Sequence, residues 1–240
     1  MHVYANPARF LKIARPLTGL LGWAGAALIA VALAIGLFLA PRDYLQGESV
    51  RIIYLHVPAA WLGMAGWTGI AIASLMQLVW RHPLAAVAGR AIAVPGAVFA
   101  FVCLVTGSLW GRPTWGTYWE WDGRMTSMLV LLFLYLGYIA LAGAEKEKGG
   151  EGRITAIFGL VGAVNLPIIR YSVVWWNTLH QGQSIDIVEG RSSIDSSMLW
   201  PLLASALGFS LLFGAIVLMR MRAELARQKL EARIRRMAAQ

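Results

Sequence analysis

The sequence predicts an all-α, polytopic membrane protein with six transmembrane helices. Three observations carry this reading. The 240 residues are 58% hydrophobic and only 14% charged, far below the roughly one-quarter charged content of soluble domains. The charges are clustered and leave apolar runs of about 19 residues or more, enough to cross roughly 30 Å of hydrocarbon. The alternating segments of about ten residues that mark a transmembrane barrel are missing.

The elements follow from the chain in order. Residues 1–16 form a short basic start with Arg9, Lys12 and Arg15, and span one covers 17–40. That run is too long for a signal-peptide core and no obvious cleavage site follows it, so it reads as a span. Pro41, Arg42 and Asp43 open a short loop, and span two covers 52–80. Its length implies a tilt or an interfacial first turn, and Pro58 falls where a helix tolerates proline. Arg81, His82 and Pro83 make the next turn, and span three covers 91–109. Span four covers 127–144. The run EKEKGGEGR at 145–153 is a plain charged loop. Span five covers 154–176; Asn165 and Pro167 suggest a kink, with plain helix–helix packing the slightly favoured reading of these residues. A polar loop fills 177–197 and span six covers 198–219. The remainder, 220–240, is a basic helical tail with an apolar stripe of Leu225, Leu230, Ile234 and Met237. No internal repeat or second soluble domain is evident.

Six spans put both termini on one side. Fifteen of the 21 Lys and Arg residues fall on that side, and such residues gather in cytoplasmic loops. Both termini are therefore expected in the cytoplasm, and the opposite face is the periplasm of a bacterial inner membrane. This distribution accounts for the net charge of +9 without nucleic acid as a partner. The charge pattern of the tail does not choose between anionic lipid and a cytoplasmic partner.

The outer face holds the polar stretch 110–126, WGRPTWGTYWEWDGRMT, expected as a periplasmic tryptophan-rich loop. Trp and Tyr collect at headgroup level, which explains any two of these rings but not four tryptophans so close together. The sharper reading is a flat apolar platform for a large planar ligand. Trp115, Tyr118, Trp119 and Asp122 follow i, i+3, i+4, i+7 spacing, so a short helix would set them on one face, with Trp121 pointing elsewhere.

Two histidines, His56 and His180, share that outer face, while His2 and His82 fall on the other. A lone interfacial histidine is usually just hydrogen-bonded at the surface. Two beside a tryptophan platform raise ligation. Imidazole ligates haem iron, zinc and copper alike. Zinc wants more ligands at a characteristic spacing, and HExxH, CxxC and CxxCH motifs are all absent. The lone Cys103 reads as a small core residue. A planar aromatic bed with two imidazoles fits haem best, one histidine on each axial face. Arg51, Arg112, Arg124 and Arg170 are candidates for the propionates, since guanidinium pairs bidentately with carboxylate. Arg170 stands about two turns inside span five, where a charge must pair or snorkel. Asp122 and Glu120 are suited to orient ligands, to meet a partner, or simply to be solvated.

The run WGTYWEWDGRMTSMLVLLFLYLGY at 115–138 resembles the tryptophan-rich "WWD" signature of the haem-handling superfamily of cytochrome c maturation. With the setting YLHVPAAW around His56 and the segment VNLPIIRYSVVWWNTLHQG, the chain resembles the haem exporter protein C family over residues 10–220. One departure is Tyr118, where that pattern has tryptophan. The resemblance implies haem b, bound transiently on the periplasmic face between the tryptophan-rich loop and axial ligands His56 and His180. It implies work with an ABC exporter's ATPase and membrane subunits and a small single-span accessory protein. It also implies delivery of haem to a periplasmic haem chaperone, with the chain a presenter rather than an independent enzyme.

Three other readings compete. A permease subunit for haem export would line its spans with polar residues near the midplane. A b-type electron-transfer subunit would stack its histidines inside the bundle. A haem lyase acting on apocytochrome is usually longer.

Overall fold

The computed structural model describes residues 6–176, 178–180, 184–186 and 191–238; His2 lies outside them. Helix α1 is Pro7–Ala34. Its start is set by Pro7 at the first helical position and by Asn6, whose side chain accepts the Ala8 N–H at 2.8 Å. A π-helical turn, Ile35–Leu39, ends it. A 3-10 turn, Glu48–Ile52, leads into α2, Ile53–Trp80. Helix α3 is Ala85–Trp115 and α4 is Gly123–Glu147. Helix α5, Arg153–Gly162, and α6, Asn165–Trp175, divide the fifth span. Strands β1, Ile185–Asp186, and β2, Arg191–Ser192, form a small antiparallel hairpin inside the segment expected as loop. Helix α7 is Ser196–Ala238.

Six helical stretches are long and apolar enough to cross a membrane, with α5 and α6 together making one. The protein is a multi-pass helical membrane protein. The sixth span and the basic tail are one helix of 43 residues, about 65 Å at 1.5 Å per residue, so α7 must run well beyond the hydrocarbon. The break in span five falls before Asn165, whose Nδ2 donates to the Ser127 carbonyl at 2.9 Å, tying α6 to α4.

Small residues let the helices approach closely, as membrane packing requires. Helix α1 crosses α7 at Gly25 and Gly208, where a Cβ on Gly25 would lie 2.9 Å from the Gly208 carbonyl oxygen. Trp67 of α2 is fully buried and meets Tyr135 and Tyr138 of α4 and Phe158 of α5 edge to face. Tyr135 donates its hydroxyl to the Gly63 carbonyl at 2.7 Å. Cys103 is buried in this same core. Phe10, Leu84 and Met221 cluster together, so the start of α1, the α2–α3 turn and the later part of α7 share one end of the bundle.

Candidate functional site

The opposite end collects the start of α2, the end of α3 and the start of α4. His56 stands in the first turn of α2. Gly107 of α3 leaves space for its ring, since a Cβ there would lie 3.0 Å from His56 Cε1. His56 Nδ1 is 3.0 Å from Thr106 Oγ1. The single Thr106 hydroxyl proton is directed at the Val102 carbonyl, 2.6 Å away. Toward the imidazole, Thr106 is therefore an acceptor, and His56 donates from Nδ1–H. That choice leaves the lone pair on Nε2. Trp110 sets its ring edge to face against His56 at 5.6 Å and donates its Nε1–H to Gln46 Oε1 at 2.8 Å.

His180 follows α6 and reaches the same end by a different route. Asp122 is buried at the N-cap of α4 and divides its two oxygens. Oδ1 accepts the Met125 N–H at 2.7 Å, which caps the helix. Oδ2 accepts the Thr178 hydroxyl and His180 Nδ1–H, the latter at 2.7 Å. The His180 backbone N–H donates to Thr178 Oγ1 at 3.1 Å. Trp115, the last residue of α3, lies against the His180 ring at 4.7 Å.

Burial pushes the His180 imidazole below its ordinary 6.5 and outweighs the upward pull of Asp122. Burial also raises Asp122, but the bonds from Thr178, Met125 and His180 more than offset it and hold the carboxyl below its usual range. At neutral pH the pair is thus a carboxylate and a neutral imidazole joined at Nδ1–H. Nε2 again keeps its lone pair. Among the described residues, both histidines have one nitrogen tied by the protein and the other without a partner, the arrangement that outer-shell partners impose on ligating imidazoles.

Arg124 occupies the first turn of α4, half-buried. It is within electrostatic reach of His56, His180 and Asp122. Its Nε is buried and finds no hydrogen-bond acceptor among the described residues. Trp119 Nε1, packed beside the core, is buried and unpartnered in the same sense. Two imidazoles with open Nε2 atoms, beside a buried cation with an unfilled donor, fit an iron porphyrin bearing anionic side groups.

Several expectations need correcting. No short helix carries Trp115, Tyr118, Trp119 and Asp122 on one face. Helix α3 runs through Trp110 to Trp115 and stops because Gly116 adopts φ +81°, a left-handed cap that glycine enters without strain. Residues 116–122 are non-helical, and α4 restarts at Gly123. The aromatic rings do not form one flat bed: Trp119 and Trp121 meet edge to face, with an interplanar angle of 74°. Tyr118 and Trp121 are exposed, and Arg112 covers Tyr118 at 5.7 Å while donating to the Gly116 carbonyl. Arg51 is tied to Glu48 at 2.5 Å. Arg170 is exposed on α6 with its guanidinium 5.8 Å over Tyr171, and its charge is felt by Arg124. The structure thus gathers His56, His180, Asp122, Trp115 and Arg124, keeps Trp119 beside them, and leaves Tyr118 and Trp121 facing outward. Thr106, Trp110 and Thr178 join the site without a sequence signal beyond their neighbourhood. A hydroxyl inside an apolar run usually just bonds its own helix, as Thr106 also does.

Fold and site together define a multi-pass helical membrane protein with paired histidines and a tryptophan-rich crossing at one end. The family described as "Heme exporter protein C" matches residues 1–236. The chain is 52% identical to the heme exporter protein C of Bradyrhizobium diazoefficiens over 231 residues, 95% of this chain and 86% of the relative. It is 49% identical to that of Escherichia coli K12 over 222 residues, 92% of this chain and 89% of the relative. It is 42% identical to that of Paracoccus denitrificans over 236 residues, 97% of this chain and 96% of the relative. The chain belongs to the haem exporter protein C family.

Proposed function

We propose that this protein binds haem b transiently between His56 and His180 and presents it at the periplasmic face of the bacterial inner membrane. It hands the haem to a periplasmic haem chaperone during c-type cytochrome biogenesis. The observation that carries this is the shared state of the two imidazoles. Each has Nδ1–H donated to a protein acceptor, Thr106 or Asp122, and each leaves Nε2 without a partner among the described residues, at the same end of the bundle.

Haem supplies an iron with two axial positions and two propionates. His56 and His180 hold the iron, and Asp122 and Thr106 fix their tautomers. Arg124 takes a propionate through its unfilled Nε, and Arg170, from the outer part of α6, takes the second. Trp115 packs on His180, and Trp119 packs against the adjoining core. Trp121 and Tyr118, exposed on the crossing at 116–122, offer the surface the chaperone meets. The family's name supports work within a haem exporter assembly, and the partners proposed for it are an ABC exporter's ATPase and membrane subunits and a small single-span protein. The Lys and Arg distribution supports termini in the cytoplasm. The protein holds and presents haem.

The test is haem transfer to the chaperone in membranes making haem, with His56→Ala, His180→Ala and Trp121→Ala. The histidine variants should yield chaperone without haem. Trp121→Ala should retain haem and transfer it poorly. Normal loading of the chaperone by both histidine variants would overturn the reading.

A further inference from the structure

At the far end of the bundle, a cavity of about 420 Å³ opens between α3, α4 and α7. Arg90 precedes Thr106 on α3 by about 24 Å of helix rise, so this cavity lies close to one hydrocarbon thickness from the histidines. Its upper wall carries Arg90, Lys146, Arg220 and Arg227, against a single acid, Glu224. Glu224 is shared among three of these cations: Lys146 at 2.5 Å, Arg227 at 3.5 Å and Arg90 at 3.6 Å. Arg220 spends its Nε–H on the Ala91 carbonyl at 3.0 Å. Arg227 also meets Glu231 at 3.6 Å, outside the cleft lining, and Arg90 lies within electrostatic reach of Glu145. Within the lining itself four cations face one carboxylate, so the wall keeps an excess of positive charge. Arg90 Nε is buried and has no acceptor among the described residues.

The lower wall is apolar, formed by Val94, Ile139 and Ala142. Val94 is itself exposed on the flank of α3. A basic rim over an apolar floor, at the depth of the second headgroup layer, matches an amphiphile with an anionic head. We propose that this cleft binds an anionic phospholipid, its phosphate among Arg90, Lys146 and Arg227 and an acyl chain along Val94 and Ile139. A free phosphate would satisfy the rim and leave the floor without an occupant. Glu224 then acts as a built-in competitor that holds the cations in place.

The full-length protein, purified in mild detergent, would be titrated with phosphatidylglycerol, phosphatidylcholine and inorganic phosphate. Bound lipid would be counted by native mass spectrometry and thermal shift followed in parallel. Phosphatidylglycerol should be retained over phosphatidylcholine, and inorganic phosphate should displace it poorly. Arg90→Gln with Arg227→Gln should weaken retention on the order of tenfold. Glu224→Gln should strengthen it, a gain that misfolding cannot produce. Arg233→Gln with Arg236→Gln, on the exposed tail, should leave it unchanged. Equal retention of the two lipids, no gain in Glu224→Gln, displacement by inorganic phosphate alone, or an equal loss in the tail variant would each overturn the proposal.

Discussion

His56 projects from the first turn of a helix packed against α3, with Gly107 behind its ring and a hydroxyl on its Nδ1. His180 stands beyond the last turn of α6, and a buried carboxylate holds its Nδ1. Moving His56 means moving α2 against α3. Moving His180, which lies outside the helices, means breaking its bonds to Asp122 and Thr178, and groups outside packed helices are freed at lower free energy. A protein that must hold a ligand and then give it up is served by this inequality. In the proposed function His56 would be the fixed ligand and His180 the releasable one.

The comparison can be broken most sharply at Asp122. Asp122→Asn keeps an oxygen for the Met125 N–H, so α4 stays capped, asparagine being as good a cap as aspartate. It turns an amide donor toward His180, which forces the proton onto Nε2 and blocks ligation there. Haem retention should fall by about 10–100-fold with little change in thermal stability. Asp122→Ala should lose the same retention and in addition about 1 kcal/mol from the missing cap, read as a lower unfolding midpoint.

Thr106→Val removes the acceptor from His56 without changing its shape. Packing against α3 still confines that ring, so retention should fall only several-fold, at the low end of outer-shell effects. Equal losses in Thr106→Val and Asp122→Asn would remove the proposed inequality. Gly107→Ala should give a smaller loss, because the added Cβ would lie 3.0 Å from His56 Cε1 and the ring must give by a few tenths of an ångström.

The weakest effect is that of pH. The folded His180 titrates below 6.5, so as pH falls the unfolded chain takes up its proton first. His180 therefore costs no stability above 6.5, and the fold weakens as pH drops below that value. Its lone pair is more available at 6.5 than that of a free imidazole, so the decline of haem retention should be centred below 6.5. A decline centred at 6.5 would mean that burial does not protect the imidazole.

The spans were legible because hydrocarbon imposes length and composition on each of them. Helix ends were less so. The stretch from Trp110 to Trp115 contains Gly111 and Pro113, and by local signals it ends a helix. The structure continues α3 through it, because Trp110 packs on His56 and tertiary contact overrides propensity. A kink at Asn165 was the less favoured of two readings of span five and is the one the structure bears out, whereas His56 and His180 were legible as a pair on one face. Their tautomers were not, because Thr106 and His56 lie 50 positions apart and Asp122 and His180 lie 58 apart. The flat platform failed for a similar reason: helical spacing across 115–122 assumed a helix that Gly116 ends.

The most direct test of the central claim is the absorption spectrum of the protein purified from membranes of haem-producing cells, wild type beside Asp122→Asn, His56→Ala and His180→Ala. The account predicts a Soret band with low-spin bis-histidine features in the wild type. It predicts the band shifted or lost in both histidine variants, and an Asp122→Asn spectrum that matches His180→Ala rather than wild type. A wild-type spectrum that keeps its bis-histidine features in Asp122→Asn or in either histidine variant would contradict it.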